Sequence, residues 1–234
     1  MIEPIAHAPK LFRQSQLDSR HQYLDAYDDI EAERFDQWTL ALDEDDHQAC
    51  LDDIASAFSF QPGMRVLDVG AGTGALSLSL RHIDGLELSA LEPSLPMSDR
   101  YRAKDSLADV HLVNGFCDHT CDRKLFDEGQ FDVIASRLLV NCLYDPLAAF
   151  SNWRHWLRPG GCLIVIDGLF DRDGWNGKWS DFVDSHPLSI NQSMSLVPYL
   201  IEKSGFHLQH VGWMEQTNAR PSTKTKRYIV VAEK

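Results

Sequence analysis

The sequence predicts an α/β fold, with seven strands in a mostly parallel sheet, helices on both faces of the sheet and an antiparallel last strand. Three observations support this prediction. From residue 61 onward, short apolar runs suited to buried strands alternate with helical stretches, which is typical of parallel strands joined by crossover helices. A glycine-rich turn follows the first of these runs. The last two runs are close enough in the chain to pair as antiparallel neighbours.

Residues 1–60 are predicted to be helical. Tyr23, Tyr27 and Ile30 fall on one helical face at steps of four and three residues, and apolar residues within 50–58 repeat this spacing. We therefore expect two helices before the first strand. Together they would form an N-terminal extension that covers the functional site.

Residues 61–234 are expected to form one domain. The predicted strands occupy residues 66–69, 86–91, 110–113, 131–135, 162–166, 206–213 and 227–232. Helices are expected near residues 147–157 and 194–203. The alternation of strands and helices breaks after residue 167, and an aromatic-rich stretch follows. Residues 169–193 are therefore interpreted as an insertion.

The charge balance limits the partners that the protein is expected to have. The chain carries 22 basic and 35 acidic residues, a formal net charge of −13, so a polyanion would be repelled unless basic residues were clustered on one face. No stretch approaches the roughly 18 apolar residues of a membrane-spanning helix. We expect no nucleic-acid partner, no membrane partner and a cytoplasmic location, whereas the oligomeric state is not readable from these residues.

The cysteines predict neither disulfides nor a metal site. There are five of them, they form no C-x-x-C pair, and their odd number does not fit a fully paired framework. Cys117, His119 and Cys121 are of metal-binding types, but a fourth ligand is missing. We expect reduced thiols and no metal.

The most informative motif is the glycine-rich turn DVGAGTG, which runs from Asp68 to Gly74. It falls at the carboxyl end of the first predicted strand, where open parallel sheets bind ligands. Gly70 and Gly72 let the backbone turn sharply and approach a ligand without an intervening Cβ. The turn alone is ambiguous, because it also satisfies the dinucleotide fingerprint G-x-G-x-x-A, with Glu92 near the spacing of the ribose-binding carboxylate.

Asp68 helps to separate the two interpretations of this turn. A carboxylate directly before the glycines would repel a pyrophosphate, whereas it suits a ligand that carries an ammonium and a sulfonium group. The turn then has to supply only close approach and backbone hydrogen bonds. The alternative is that Asp68 merely caps the following helix.

Several motifs, in sequence order, resemble those of the class I S-adenosylmethionine-dependent methyltransferases. Residues 66–74 are similar to the first motif of that family, and LEPS at 91–94 is similar to the end of its second strand. FDVI at 131–134 resembles the fourth strand, and LRPGG at 157–161 resembles the turn before the fifth. The resemblance extends from about Phe58 to the C-terminus. It implies a Rossmann-like, doubly wound fold, S-adenosyl-L-methionine as the cofactor, and methyl transfer as the activity.

The same resemblance implies roles for single residues. Glu92 would take the ribose hydroxyls, a role that suits a bidentate carboxylate. Met97 would pack against the adenine ring, with ordinary helix packing as the alternative. The cofactor-binding residues are predicted to be Tyr27, Asp68, Gly70, Ala71, Gly72, Thr73, Gly74, Glu92, Pro93, Met97, Gly115, Phe116, Cys117, Asp118, Ser136, Arg137 and Leu138.

The end of the third strand departs from the family pattern, because GFCD at residues 115–118 replaces a glycine followed directly by an acidic residue. Two interpretations stay open. Either Asp118 reaches the exocyclic amine of the adenine, or Phe116 and the backbone of Cys117 fill that role.

The segment after the fourth strand indicates the kind of acceptor. It begins at Ser136, should lie below the methyl group, and lacks the [ND]-P-P-[YF] stretch of family members that methylate adenine or glutamine. A small-molecule acceptor is therefore expected. Asn141 stands where small-molecule relatives often carry a histidine, so no catalytic base is assigned. The acceptor pocket is predicted to be lined by Asn141 and by Trp175, Trp179, Phe182 and His186 of the insertion, and to be closed from the other side by Tyr23, Tyr27 and Trp38. Plain hydrophobic packing is the alternative for the aromatic residues, and a surface position is the alternative for His186.

Two rival functions follow from the same residues. A nicotinamide-dependent oxidoreductase is favoured by the glycine fingerprint alone and disfavoured by Asp68 and the later motifs. A non-catalytic module that binds S-adenosylmethionine would account for the unusual third-strand turn and for the missing base.

Overall fold

A computed structural model describes residues 10–175 and 177–234 of the 234-residue chain. The strands are β1 (Arg65–Val69), β2 (Glu87–Leu91), β3 (His111–Val113), β4 (Phe131–Arg137), β5 (Leu157–Gly168), β6 (His207–Trp213) and β7 (Arg227–Glu233). The helices are α1 (Lys10–Ala26), α2 (Asp29–Leu40), α3 (Glu44–Ala55), α4 (Ala75–Leu80), α5 (Leu95–Arg102), α6 (Pro146–Trp156), α7 (Trp179–Ser185), α8 (Leu196–Lys203) and α9 (Glu215–Ala219).

The seven strands form one sheet in the order β3-β2-β1-β4-β5-β7-β6. Strands β1 to β5 pair in parallel, whereas β7 pairs antiparallel with both β5 and β6. The predicted seven-stranded, mostly parallel sheet with an antiparallel last strand is confirmed. The strand order reverses between β1 and β4, so the carboxyl ends of these two strands border the crevice in which open α/β sheets bind ligands.

Helices cover both faces of the sheet. One face packs against α6 and α8 through Trp153, Trp156 and Ile201. The other face packs against α3 and α4 through Ile54 and Leu80. A sheet that is buried on both faces needs apolar residues on both sides of its strands, which is why its central strands are nearly continuous apolar runs. The doubly wound architecture is thereby confirmed.

Three helices precede β1 in the described residues, where the sequence predicted two. The side chains of Asp28 and Asp43 cap α2 and α3 by accepting hydrogen bonds from backbone amides of the first turns. The first cap restarts the helix, so Tyr23 and Tyr27 do not share a helical face with Ile30. Tyr23 is buried, whereas Ile30 is 79% exposed. The predicted common face of these three residues is wrong.

Helices α1 and α2 reach the carboxyl edge of the sheet. The hydroxyl of Thr39 lies 2.7 Å from that of Thr73 in the glycine-rich turn. The hydroxyl of Ser94, which follows β2, donates to the carbonyl of Tyr27 at 2.9 Å. By contrast, α3 packs on a face of the sheet. Within the first 60 residues, it is therefore the α1 and α2 segments that make these contacts with the strand ends.

The aromatic-rich stretch between β5 and α8 contains α7, which packs against α1. The ring of Trp179 lies 5.2 Å from that of Tyr27, and the ring of Phe182 lies 6.2 Å from that of Tyr23, measured between centroids. The stretch thus meets the N-terminal helices above the carboxyl edge.

All five cysteines are free. In the described ranges, no helix has the length and apolar character needed to cross a bilayer. The same ranges hold no group of three or more His, Cys, Asp and Glu side chains arranged to bind a metal ion.

Candidate functional site

The glycine-rich turn links β1 to α4 where the strand order reverses. Gly70, Gly72 and Gly74 have φ angles of +68°, +55° and +102°, in the region that side-chain-bearing residues seldom adopt. A Cβ at Gly70 would lie 2.6 Å from Leu139 Cδ1, whereas a Cβ at Gly72 would meet no atom within 4 Å. At Gly70 an added side chain would displace Leu139, and at Gly72 the turn leaves space in which a ligand can approach the backbone.

Asp68 presents a buried carboxylate oxygen without a partner. The side chain is 1% exposed, and its Oδ2 accepts a hydrogen bond from Ser77 Oγ at 2.6 Å. Its Oδ1 has no hydrogen-bond partner among the described residues. Burial raises the pKa of this carboxyl to about 6, although the Ser77 contacts and the charge of Arg137 act to lower it. Because an unsatisfied buried acceptor is destabilising, Oδ1 marks a place for a donor group of a ligand.

Glu92, which directly follows β2, holds the turn from the neighbouring strand. Its Oε2 accepts from the Gly72 amide at 3.0 Å, and its Oε1 accepts from the Ser94 amide at 2.8 Å. Burial raises the pKa of Glu92 to about 7, the two amides oppose this shift, and the charge of Asp68 adds to it. A carboxylate has about four acceptor positions, so Glu92 retains lone pairs for the hydroxyls of a ligand.

A cavity lies beside the turn and encloses about 410 Å³ of space between protein atoms, part of it open to solvent. Leu139, Cys142 and Leu143, which follow β4, form part of its wall. The predicted site residues that line it are Gly70, Pro93, Gly115, Phe116, Cys117, Asp118, Tyr23 and His186. The structure thus brings the ends of β1, β2 and β3 together with residues from both flanking segments.

At the third strand, an arginine from α1 completes the cavity wall. Arg20 is buried, forms an ion pair with Asp122, and places Nη2 3.7 Å from Asp118 Oδ1. Its guanidinium carbon lies 4.5 Å from the centre of the Phe116 ring. Burial raises the pKa of Asp118 to about 6, against the effect of Arg20. Phe116, Cys117 and Asp118 all line the cavity, so both interpretations of the adenine contact stay open.

Aromatic side chains of α1 and α7 form one end of the site. The Tyr23 ring lies 4.5 Å from that of Tyr27 and 5.6 Å from that of Phe116. His186 stacks on Phe182 with 3.9 Å between ring centroids and 16° between planes. Tyr23 and His186 are both buried, and both line the cavity. At these two positions the side chain packs against its aromatic neighbours and also forms part of the pocket wall, so the two predicted alternatives do not exclude each other.

Other predicted residues lie around the cavity without lining it. The hydroxyl of Tyr27 is 3.4 Å from Cys142 Sγ. Ser136 is fully buried, and its hydroxyl has no partner in the described part of the chain. Leu138 has a φ angle of +58°, which is rare for a bulky residue and typical of a functional turn. The same region also contains the turn residues Ala71, Thr73 and Gly74 and the carboxylates of Asp68 and Glu92.

Further predicted residues do not line the cavity. Trp38, which was predicted to close the pocket, is 54% exposed. Arg137 lines a second pocket together with residues of α3 and the segment after α9, because the alternation of β4 directs it away from Ser136. Met97 is buried in the first turn of α5, where its backbone amide donates to Ser94 Oγ at 3.4 Å, and its contact with the adenine stays a prediction. Trp175 contacts the rings of Phe170 and Trp179, both at 6.0 Å. Trp179 itself packs against Tyr27 and does not line the cavity.

Asn141 and Asp167 join the segment after β4 to the end of β5. Asp167 Oδ2 accepts a hydrogen bond from the backbone amide of Asn141 at 3.1 Å, and Oδ1 accepts one from the backbone amide of Gly168 at 2.7 Å. Burial raises the pKa of Asp167 to about 6. Asp167 was not predicted as a site residue, although an acidic residue at the end of an apolar strand is the signal that identified Asp68.

The donor groups of S-adenosylmethionine fit the acceptors of this site. Among the buried oxygen atoms that have no hydrogen-bond partner in the described residues, those of Asp68, Asp118, Ser136 and Asn141 lie at or after the ends of β1, β3 and β4. An ammonium and an exocyclic amine are the kinds of group that would satisfy them. Glu92 keeps lone pairs for a diol, and Gly72 leaves open space at the turn.

The doubly wound sheet and its oxygen-rich strand ends define an α/β protein with a small-ligand site at the switch point. The particular family follows from sequence comparison. A family described as a methyltransferase domain matches residues 42–211, more than half of the 234 residues. The chain belongs to this family, as the motifs predicted.

Curated relatives include enzymes named for two different substrates. A phosphoethanolamine N-methyltransferase of Arabidopsis thaliana is 29% identical over 165 residues, which cover 66% of this chain and 31% of that protein. A demethylmenaquinone methyltransferase of Chlorobaculum tepidum is 27% identical over 109 residues, covering 47% of this chain and 43% of the relative. The chain thus spans less than a third of the length of the plant protein and less than half of the bacterial one.

Solved structures show the same fold. A SAM-dependent methyltransferase from Aquifex aeolicus superposes with a TM-score of 0.63 at 18% identity, covering 88% of this chain and 98% of that one. The match extends over nearly the whole of the solved chain, so the predicted Rossmann-like fold is confirmed.

Proposed function

We propose that the protein transfers the methyl group of S-adenosyl-L-methionine to a small-molecule acceptor. The observation that carries this proposal is the hydrogen bond from the Gly72 amide to Glu92 Oε2 at 3.0 Å. In a dinucleotide site the backbone amides of such a turn face a pyrophosphate. Here the Gly72 amide is taken by a carboxylate, and the Asp68 carboxylate lies next to the turn, so a phosphate would be repelled and a cationic ligand favoured.

The bound donor would supply an electrophilic methyl group on a sulfonium. The residues of this chain would bind, orient and enclose the reactants. Asp68 and Glu92 would fix the donor by accepting hydrogen bonds, and Ser136 and Leu138 would lie beside it. The rings of Tyr23 and Phe116 would exclude water and tolerate positive charge. Proximity accounts for a large share of the acceleration in such a reaction.

The acceptor is proposed to be a small molecule that enters between the N-terminal helices and α7. The plant relative is named for phosphoethanolamine and the bacterial relative for demethylmenaquinone, and these two compounds represent amine and quinone acceptors. The net charge of −13 supports a small molecule over a nucleic acid.

The N-terminal segment of residues 1–60 is proposed to act as a cover of the site through α1 and α2. The five free thiols support a reducing, cytoplasmic location.

Calorimetric titration with adenosylhomocysteine and with NADH tests the donor half of this proposal. We expect binding of adenosylhomocysteine and none of NADH; binding of NADH alone would overturn the assignment. Transfer from methyl-labelled S-adenosylmethionine to a metabolite panel, with phosphoethanolamine and demethylmenaquinol among its members, tests the acceptor half. Cofactor binding without any labelled product would favour a non-catalytic binding module.

A further inference from the structure

His186 occupies a position in the cavity that the reaction proposed above leaves without a role. It follows α7, is 3% exposed, and lines the cavity together with Tyr23, Cys142 and Leu143. Its ring is held flat against Phe182, with 3.9 Å between centroids. The imidazole is therefore fixed in orientation at the end of the cavity that the insertion and α1 enclose.

The hydrogen bonds of His186 determine which ring nitrogen carries the proton. Nδ1 lies 2.6 Å from the carbonyl oxygen of Phe182 and 3.0 Å from Ser185 Oγ. The Ser185 hydroxyl itself donates to the same carbonyl at 2.9 Å. A carbonyl only accepts hydrogen bonds, so Nδ1 must be the donor. In the neutral ring Nε2 then carries the lone pair. No described residue donates a hydrogen bond to this lone pair.

The surroundings keep this ring neutral before the reaction. Burial lowers the pKa of His186, while the Phe182 carbonyl acts in the opposite direction. The titratable groups that share the cavity are Arg20 and Tyr23 from α1, Cys117 and Asp118 after β3, and Cys142 after β4. Arg20 is already paired with Asp122. After Nε2 takes up a proton, the Phe182 carbonyl would stabilise the imidazolium through Nδ1.

We infer that Nε2 of His186 is the base that removes a proton from the attacking atom of the acceptor. This inference rests on the proposed function and narrows it to acceptors whose attacking atom carries a proton, such as a hydroxyl, a thiol or an amine. The attacking atom forms a bond to the methyl carbon, the carbon–sulfur bond breaks, and its electron pair stays on sulfur. The proton passes to Nε2 and later to water. The sulfonium charge is thus replaced by an imidazolium charge, and no further reactant is needed.

Asn141 cannot perform this task, although it stands where relatives of this kind often carry a histidine. An amide has no basic nitrogen, and the Asn141 backbone is committed to Asp167. The base proposed here therefore comes from the insertion and not from the segment after β4, to which Asn141 belongs.

Nitrogen NMR of the protein labelled with ¹⁵N-histidine, in complex with adenosylhomocysteine, tests the assignment without any acceptor. We expect a protonated Nδ1 and an unprotonated Nε2 at pH 7, with titration below the ordinary value of about 6.5. The inference would be overturned if, at pH 7, His186 were a neutral ring with its proton on Nε2 or a doubly protonated imidazolium.

His186→Asn provides the kinetic test, because its amide can still donate to the Phe182 carbonyl and preserve the fold. His207→Asn, on the exposed edge strand β6, is the matched control. With phosphoethanolamine as first probe, or else an acceptor that the metabolite screen identifies, kcat of His186→Asn should fall by roughly 100-fold at pH 7. Part of this loss should be recovered as the pH rises, and adenosylhomocysteine affinity should stay unchanged. If the kcat of His186→Asn stays within threefold of wild type, His186 is not the base, and the proposed function is left intact. If the wild-type protein does not bind adenosylhomocysteine, the proposed function itself is refuted.

Discussion

Glu92 accepts a hydrogen bond from the Gly72 amide at 3.0 Å and thereby joins the end of β2 to the turn after β1. One carboxylate thus shapes the turn and keeps lone pairs that the proposed ligand would use. The neighbouring Asp68 is oriented by the Ser77 hydroxyl at 2.6 Å. The proposed donor site therefore contains two buried carboxylates whose positions are set by hydrogen bonds within the protein.

The first prediction concerns these two carboxylates. Asp68→Ala and Glu92→Ala should each weaken adenosylhomocysteine binding by roughly tenfold, about 1.4 kcal/mol, because each removes an acceptor that the ligand uses. Both variants should remain folded by circular dichroism. Unchanged affinity in both, measured by calorimetry, would contradict this placement of the donor.

The strand ends were the part of the site most readable from the sequence. Asp68, the glycine-rich turn and Glu92 follow apolar runs, and parallel strands bring their carboxyl ends to one edge, so local patterns sufficed to place them together. The family membership and the sheet topology were predictable for the same reason.

Contacts between distant segments were not readable in this way. Arg20 reaches Asp118 and Asp122 across roughly a hundred residues of sequence, and no local pattern distinguishes it from any other helical arginine. The break between α1 and α2 depends on the capping aspartate Asp28, which was not recognised as a helix start. Arg137 was assigned to the donor pocket by its position in a motif, although strand alternation directs it away from Ser136.

The second prediction concerns pH. Burial raises the pKa of Glu92 from 4.5 to about 7 and that of Asp68 from 3.8 to about 6, so the folded state binds these protons more tightly than the unfolded state does. Their contribution to stability is complete below the unfolded values and is lost as the pH rises through the folded ones. The ligand-free protein should therefore unfold at a lower temperature at pH 8 than at pH 5.5.

Ligand affinity should follow the opposite trend. A cationic donor prefers ionised carboxylates, so adenosylhomocysteine, through its ammonium, should bind more tightly at pH 8 than at pH 5.5. Comparison with Glu92→Gln isolates this carboxyl from the other titrating groups, since the variant should show a flatter dependence in both measurements. Parallel profiles for wild type and variant would show that Glu92 does not titrate in this range.

The third prediction compares two glycines with positive φ. Gly63 has φ +83° and no atom within 4 Å of an added Cβ, whereas at Gly70, with φ +68°, an added Cβ would lie 2.6 Å from Leu139. Gly63→Ala should cost about 1 kcal/mol of unfolding free energy from backbone strain alone. Gly70→Ala should cost more and should also weaken adenosylhomocysteine binding, because Leu139 lines the cavity and must move. Equal binding by the two variants would show that the turn does not contact the donor.

The fourth prediction concerns the buried arginine that ties α1 to the site. Arg20→Met would leave Asp118 and Asp122 without a cationic partner, and the free energy of unfolding should fall by about 3 kcal/mol, as is typical when one member of a buried ion pair is removed. Backbone amides of α1 should exchange faster with deuterium, since the helix loses its attachment. Arg100→Met is the control, because Arg100 pairs with the exposed Asp29 and Glu33 and should contribute less than about 1 kcal/mol.

Adding Asp122→Asn to Arg20→Met should recover part of the loss, because it removes one of the two unpaired charges. No recovery in the double variant, measured by urea denaturation, would show that Arg20 stabilises the protein through packing on Phe116 instead of through charge.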